Sequence, residues 1–415
     1  MDQQNNFEAF AKAYNNFGPR PLQDEEIERF YVDDLTNNFI TQIKEALQSP
    51  DDSHKILVFG QPGCGKSTTL NKIIKLIHED NLWKNKYHIV FFSAKEMLEL
   101  IESENKSLLE ITYLQLLGST NNDEVAFSHE ALKFKKMTDE PSVTRSGSKI
   151  EVALKLLPFL SLKLPLGQSS PATSPMDERT RNITLRGSFC RACQNIVRQT
   201  GKKVIIIIDA IDEMGASEAI EVSKEEGHLD TVQDVKFIHT FPLETFFLMS
   251  INPLTGEYSS QFISPVPLKD ADHQPLKDNF AYLKELVWKR IEKHLVAEKA
   301  LEELIKLSGG VLRDLISYMQ DACKEAIRDN SSIIEQDVVS RVKAKVKADY
   351  VKKYNRLDPH THDKALEDVW RTKKRPPNAL LDTLLHDSHV LEYRQSGSHT
   401  WYDAHPCLKE VLKWD

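Results

Sequence analysis

Unbroken apolar runs alternate with helical periodicity along the first half of the chain. KILVFG (55–60), YHIVFFSA (87–94) and VIIIID (204–209) contain almost no interior polar residue, the pattern of strands buried on both faces. Between the first two, KSTTLNKIIKLIHED (66–80) sets its apolar residues at helical spacing. Strand, helix and strand at this spacing predict a parallel βαβ unit with a right-handed crossover. LTNNFITQIKEAL (35–47) and ERTRNITLRGSFCRACQNIVRQTG (178–201) also read as helices, the second leading into the VIIIID strand. VKFIHTFP and TFFLMSINP (245–253) follow a polar insertion, and TFFLMSINP reads as another buried strand.

From residue 279 the pattern turns helical, through NFAYLKELVWKRIEKHL, ALEELIKL, VLRDLISYMQDACKEAI and IIEQDVVSRVKAKVKADYVKKY. The last forty or so residues change again: ALLDTLLHDSHVLEYR, the turn QSGS and HTWYDAHPCLKEVL predict helix, strand, tight turn, strand, helix. That order suggests a small winged-helix-like domain. The stretch 118–180 is rich in Ser, Thr, Asn and Pro and reads as a loop-rich insertion, with FLSLKLPL as a short strand or hairpin arm. Near the start, PRPLQDEEIERFYVDD suggests an extended segment followed by a short helix.

A chain of 415 residues has room for two or three domains, each with its own core. Its net charge of -8 argues against a wholly basic nucleic-acid coat, although a local patch can still bind phosphate. Five scattered cysteines fit a reducing compartment. The lone CxxC at Cys190 and Cys193 has no second pair to complete a zinc site and reads as ordinary helix thiols. MDQQNNFEAF lacks the basic and apolar regions of a secretion signal. No run reaches the roughly 18 apolar residues of a membrane span. A cytoplasmic protein without a membrane partner is the expectation.

The chemistry begins at the end of the first strand. Gly60, Gln61, Pro62, Gly63, Cys64, Gly65, Lys66 and Ser67 spell GxxxxGK[ST], between a predicted strand and a predicted helix. Its glycines let successive backbone N–H groups turn toward a polyphosphate, and the helix adds its positive dipole end. Lys66 has the reach for β- and γ-phosphates, the Ser67 hydroxyl for Mg²⁺, and Thr68 continues the binding stretch. A second carboxylate strand is needed to hold the metal, and VIIIID delivers Asp209 at its C-terminal end. Asn252 would end the TFFLMSIN strand and position water, or simply start a turn before Pro253. Arg313 follows two glycines in the first turn of a helix, where positive charge opposes the dipole and invites an anion; the alternative is a surface arginine.

These elements, in this order, resemble the AAA+/STAND P-loop ATPases, most closely the origin-initiator-type and NACHT-like members, over roughly residues 20–415 without the insertion. The resemblance implies an α/β fold, a three-layer P-loop sandwich with a parallel sheet, followed by a helical lid and a winged-helix-like domain. It divides the chain into an N-terminal arm (1–34), an ATPase domain (35–275), a lid (276–356) and a terminal domain (357–415). In it Gly60–Ser67 is Walker A, Asp209 the Walker B aspartate, Asn252 sensor 1 and Arg313 sensor 2. One departure matters: the residue after the metal aspartate is Ala210, where an ordinary AAA+ site has glutamate. The spacing Asp209, Asp212, Glu213 is similar to NACHT-type ATPases and moves water activation to Asp212 or Glu213.

In this superfamily the adenine site falls near PRPL (19–22) and Tyr31; plain packing is the alternative. Arg179, Arg181 and Arg186 are candidates for an arginine finger or for a solvated basic face. Residues 341–375 hold twelve Lys/Arg against five Asp/Glu, a local +7 suited to DNA phosphates or to solvent. The expected ligands are ATP or ADP with Mg²⁺. The expected behaviour is a nucleotide-controlled switch that forms a homo-oligomer or engages a partner protein, with a DNA-loading ATPase as the rival reading.

Overall fold

The computed structural model describes residues 2–33, 39–48, 55–93, 112–113, 116, 119, 178–209, 219–220, 234–249, 258–354, 359–395 and 399–412. The three apolar runs become β1 (Lys55–Gly60), β2 (Tyr87–Ser93) and β3 (Lys203–Asp209). With β4 (Val235–Pro242) and β5 (Tyr258–Phe262) they form one sheet in the order β2-β3-β4-β1-β5, parallel throughout. Every residue of β1 and β4 is buried, which is why neither run alternates. The βαβ unit predicted for β1 and β2 is present through α4 (Lys66–Glu79) and the short α5 (Asn81–Lys86), but β4 and β3 lie between its two strands. β2 is therefore an edge strand, with Phe91 40% exposed, rather than a fully buried one.

On one face Leu70, Ile73 and Ile77 of α4 join Ile43 and Leu47 of α3 (Phe39–Gln48) over Ile56, Val58 and Ile207. On the other, α6 (Glu178–Thr200) buries Leu185, Phe189, Ala192 and Ile196 against the strands at helical spacing. Cys190 and Cys193 lie on α6 as free thiols, and burial pushes both up from the ordinary thiol range. Among the described residues no group of three or more His, Cys, Asp or Glu comes together as a metal cluster.

The strand predicted at 245–253 is corrected by the structure. β4 ends at Pro242, and the next residues form a helix, α7 (Leu243–Met249). FFLM is uniformly apolar and so carries no period to separate helix from strand. As a helix it sets Phe246 edge-on against Phe59 and Phe262, with centroids 5.3 and 4.9 Å apart.

The helical region follows the predicted order: α8 (Lys277–Trp288), α9 (Glu298–Ser308), α10 (Leu312–Arg328) and α11 (Gln336–Tyr354). The polar N-terminus contributes a helix that its composition hides. α1 (Asp2–Asn16) packs against α10, burying Phe10 and Ala13, with Phe17 just beyond, an i, i+3, i+7 stripe. α2 (Asp24–Phe30) is the predicted short helix.

After α12 (Pro359–Thr372) the chain ends as helix, strand, strand, helix: α13 (Asn378–His386), β6 (Val390–Gln395), β7 (His399–Ala404) and α14 (Pro406–Leu412). β6 and β7 pair antiparallel, as the alternation around QSGS predicts. This C-terminal unit is fastened to the sheet layer where His386 meets the buried Glu244 of α7 at 3.0 Å. Among the described residues no helix is long and apolar enough to cross a membrane.

Candidate nucleotide site

The loop between β1 and α4 is built by its glycines. Gly63 and Gly65 have φ of 85° and 98°, the left-handed region that side chains disfavour. Gly60 allows close approach, since a Cβ there would stand 2.3 Å from the carbonyl oxygen of Ile263. The result is a backbone cradle against the N-terminus of α4, suited to a polyphosphate. Lys66 is buried and its Nζ donates to the carbonyls of Gly60 and Gln61 at 2.6 and 2.8 Å. Two of its three donors thus pin the ammonium across the loop.

A cleft opens over this loop, lined by Gly63–Thr69, by Pro19–Leu22 and Tyr31, and by Leu312, Arg313 and Arg290 from the helical region. The PRPL segment and Tyr31 therefore share a cleft with the phosphate loop. α4 holds that segment in place. The Leu22 N–H donates to the Thr68 hydroxyl at 3.2 Å, and Asn71 donates to the Leu22 carbonyl at 2.9 Å. Thr68 thus positions the segment above the loop.

Two cations at the end of α8 fix the other wall. Lys289 donates to the Tyr31 carbonyl at 2.6 Å, and Arg290 to those of Phe30 and Leu286 at 3.2 and 2.7 Å. The Arg290 guanidinium also lies over the Phe30 ring, 4.9 Å from its centroid. Burial pulls it down to about 10, so it stays charged at neutral pH. Arg290 escapes sequence reading because KRIEK looks like a solvated helix face.

Arg313 stands where the helical region meets the loop. Its backbone N–H donates to the Gly63 carbonyl at 3.0 Å, while its side chain is exposed and lines the cleft. Asp209 is buried as the last residue of β3. The register aligns Ile208 with His239 and His239 with Leu57, so Asp209 falls level with Val58, two residues before Gly60, toward the C-terminal end of the same parallel sheet. Ser67 lies in the first turn of α4 and lines the cleft.

The side chain of Gln61, counted from the motif among the nucleotide-binding residues, is turned away from the cleft. It is fully buried and bonds to the backbone of Leu385, Val390 and Glu392 in the C-terminal unit. Pro62 likewise lines a separate polar hollow with Arg313, Tyr350 and His386. Asp212, Glu213 and Asn252 lie outside the described residues, as do the hairpin arm FLSLKLPL and the side chains of Arg179 and Arg181.

Residues 36–241 match the family described as the KAP family P-loop domain. A comparison with curated proteins gave no match. Among solved structures, the Walker-type ATPase paby2304 of Pyrococcus abyssi is similar with a TM-score of 0.50 at 16% identity, covering 96% of this chain and 100% of that one. The Aeropyrum pernix ORC1 protein, solved in complex with DNA, aligns with a TM-score of 0.45 at 10% identity, covering 96% of each chain. The order of the sheet, the glycine cradle with Lys66 and the match over 36–241 agree: the chain carries a P-loop NTPase domain that is similar over those residues to the KAP family P-loop domain, in a fold similar to that of the Pyrococcus ATPase.

Proposed function

We infer that the chain is an ATP-dependent molecular switch of AAA+/STAND type that hydrolyses ATP slowly. The observation that carries this reading is the hydrogen bond from the Arg313 N–H to the Gly63 carbonyl. It joins the first turn of α10 to the phosphate loop, so the helical region senses the loop directly. When bound, Mg²⁺ would supply charge neutralisation between β- and γ-phosphates, held by Ser67 and Asp209. Those two fit the role as a hydroxyl at the helix start and a buried carboxylate at the C-terminal end of a strand in the same parallel sheet. Lys66 and the loop amides bind the phosphates, PRPL and Tyr31 grip the adenine, and Asp212 or Glu213 activates water. The C-terminal unit serves as a winged-helix-like domain whose position governs homo-oligomerisation or partner binding.

Sizing the protein with ADP, with ATP and as Lys66→Ala tests the switch. A nucleotide-dependent change in oligomeric state, absent in Lys66→Ala, is expected; identical monomers throughout would sink the idea. Comparing Glu213→Gln with Asp212→Asn in a phosphate-release assay assigns the water-activating carboxylate, and full activity in both overturns the assignment. Arg313→Ala keeps the backbone bond to Gly63 and removes only the guanidinium. It should reduce preference for ATP over ADP about tenfold or more, the ordinary worth of a charge-assisted hydrogen bond. Unchanged preference in competition titrations removes Arg313 from γ-phosphate sensing.

The DNA-loading alternative finds less support. Arg341 pairs with Glu325 and Asp337, Lys343 with Glu303, Lys345 with Asp321 and Lys373 with Asp403, all carboxylates outside 341–375. Much of the local +7 is thus neutralised by carboxylates from other turns and helices. Charge reversal at Lys343, Lys345 and Lys347 is expected to leave any DNA binding in low salt unchanged. A large loss would restore the DNA reading.

A further inference from the structure

We propose that Gln61 couples the phosphate loop to the C-terminal unit, so that nucleotide binding and docking of the β6–β7 hairpin stabilise each other. This rests on the reading that a nucleotide occupies the loop.

The geometry of the Gln61 side chain is specific. Its Nε2 donates to the carbonyls of Val390 and Leu385 at 2.7 and 3.0 Å, and its Oε1 accepts from the Glu392 N–H at 2.8 Å. The C=O of one strand residue and the N–H two residues later point to the same side of a strand. A neighbouring parallel strand takes such a pair with one residue's own amide. Here the side-chain amide of Gln61 takes it, as though the phosphate loop were a one-residue strand on the free edge of β6. A carboxamide supplies the donor and the acceptor from two atoms of one planar group. Leu385, near the end of α13, supplies the third bond, so the grip spans helix and hairpin.

A second connection closes a circuit. The Tyr393 hydroxyl on β6 donates to the Gly309 carbonyl at 2.8 Å, and Leu391, Tyr393 and Trp401 pack with Val311. Gly309 and Val311 belong to the turn that starts α10, and two residues beyond Val311 the Arg313 N–H returns to Gly63. The loop thus touches the hairpin through Gln61, the hairpin touches the α9–α10 turn, and the turn touches the loop again. The carbonyl of Gln61 is held by Lys66, the loop's phosphate-facing cation. Ordering the loop around phosphate fixes the base of the Gln61 side chain, and a docked hairpin pre-pays part of that ordering. By linkage, each must favour the other by the same factor.

The test combines hydrogen exchange of the amides in 390–404 with titration of a fluorescent adenine nucleotide, on the full chain. In the wild type, nucleotide should slow exchange of these amides roughly tenfold, within the usual range of coupling between sites. Gln61→Glu keeps the size of the side chain but sets a carboxylate against two carbonyl oxygens. The hairpin should then exchange rapidly with or without nucleotide, and affinity should fall by a similar factor. Tyr393→Phe, on the hairpin and outside the cleft, should weaken nucleotide binding several-fold, which a purely local role for Tyr393 would not do. If Gln61→Glu does not fold, Tyr393→Phe carries the test alone. A wild type that binds nucleotide without any change at 390–404 overturns the coupling and leaves the P-loop reading intact. A wild type that binds no nucleotide overturns both. Nucleotide-dependent slowing that persists in Gln61→Glu, or an affinity unchanged in Tyr393→Phe, also overturns it.

Discussion

Lys66→Ala is expected to lower nucleotide affinity by about 100-fold or more while the fold survives. Two losses combine. The ammonium is the one side-chain charge that the P-loop motif aims at β- and γ-phosphates, and a charge-assisted hydrogen bond is worth about 1.5–3 kcal/mol. The same group also ties the loop together through the carbonyls of Gly60 and Gln61. Without it the loop must order itself at the moment of binding, a further cost to affinity. Those carbonyls also lose their shared buried donor, which costs stability by roughly 1–3 kcal/mol. Lys66→Arg should not rescue binding, because a planar guanidinium needs more room than this buried position gives an ammonium. Titration with a fluorescent adenine nucleotide, alongside thermal melting, separates the two effects. An affinity within threefold of wild type would show that phosphate binds elsewhere.

What the sequence revealed and what it hid divide along a physical line. Gly63, Gly65 and Lys66 were legible because the demand on them is local: left-handed backbone and one cation at the start of a helix. The strands β1 and β3 were legible because burial on both faces leaves an unbroken apolar run. The strand at 245–253 was misread because FFLM is equally unbroken, and the packing of its helix on Phe59 and Phe262 is a tertiary contact that the local pattern does not carry. Gln61 looked like a loop residue because its partners lie 324 to 331 positions away. The basic stretch looked like a patch for the same reason, since Glu303, Asp321 and Glu325 belong to earlier helices. Local demands on backbone and charge show in sequence; pairings made across the fold do not.

Gly310→Ala is the substitution expected to damage the molecule most outside the phosphate loop. Gly310 has φ of 80°, and a Cβ there would stand 1.9 Å from the carbonyl oxygen of Val266, a backbone atom that cannot turn aside. The close approach is itself bonded, because the Val266 N–H donates to the Gly310 carbonyl at 3.0 Å. The left-handed conformation alone costs a non-glycine residue about 1–2 kcal/mol, and forced backbone displacement adds about 1–3 kcal/mol. A total near 4 kcal/mol is a large part of the 5–15 kcal/mol that stabilises an ordinary domain. Gly201 provides the internal comparison. Its φ of 70° is equally left-handed, yet nothing lies within 4 Å of its would-be Cβ, so Gly201→Ala should cost only the conformational part. Denaturant unfolding of the two variants measures the difference, and equal losses would refute the close-approach argument. The functional consequence follows from position. Pushing residue 310 off Val266 moves the turn that starts α10, and with it the Arg313 N–H that reaches Gly63. Gly310→Ala should therefore weaken nucleotide binding even under conditions where it remains folded, whereas Gly201→Ala, which precedes β3, should leave affinity unchanged.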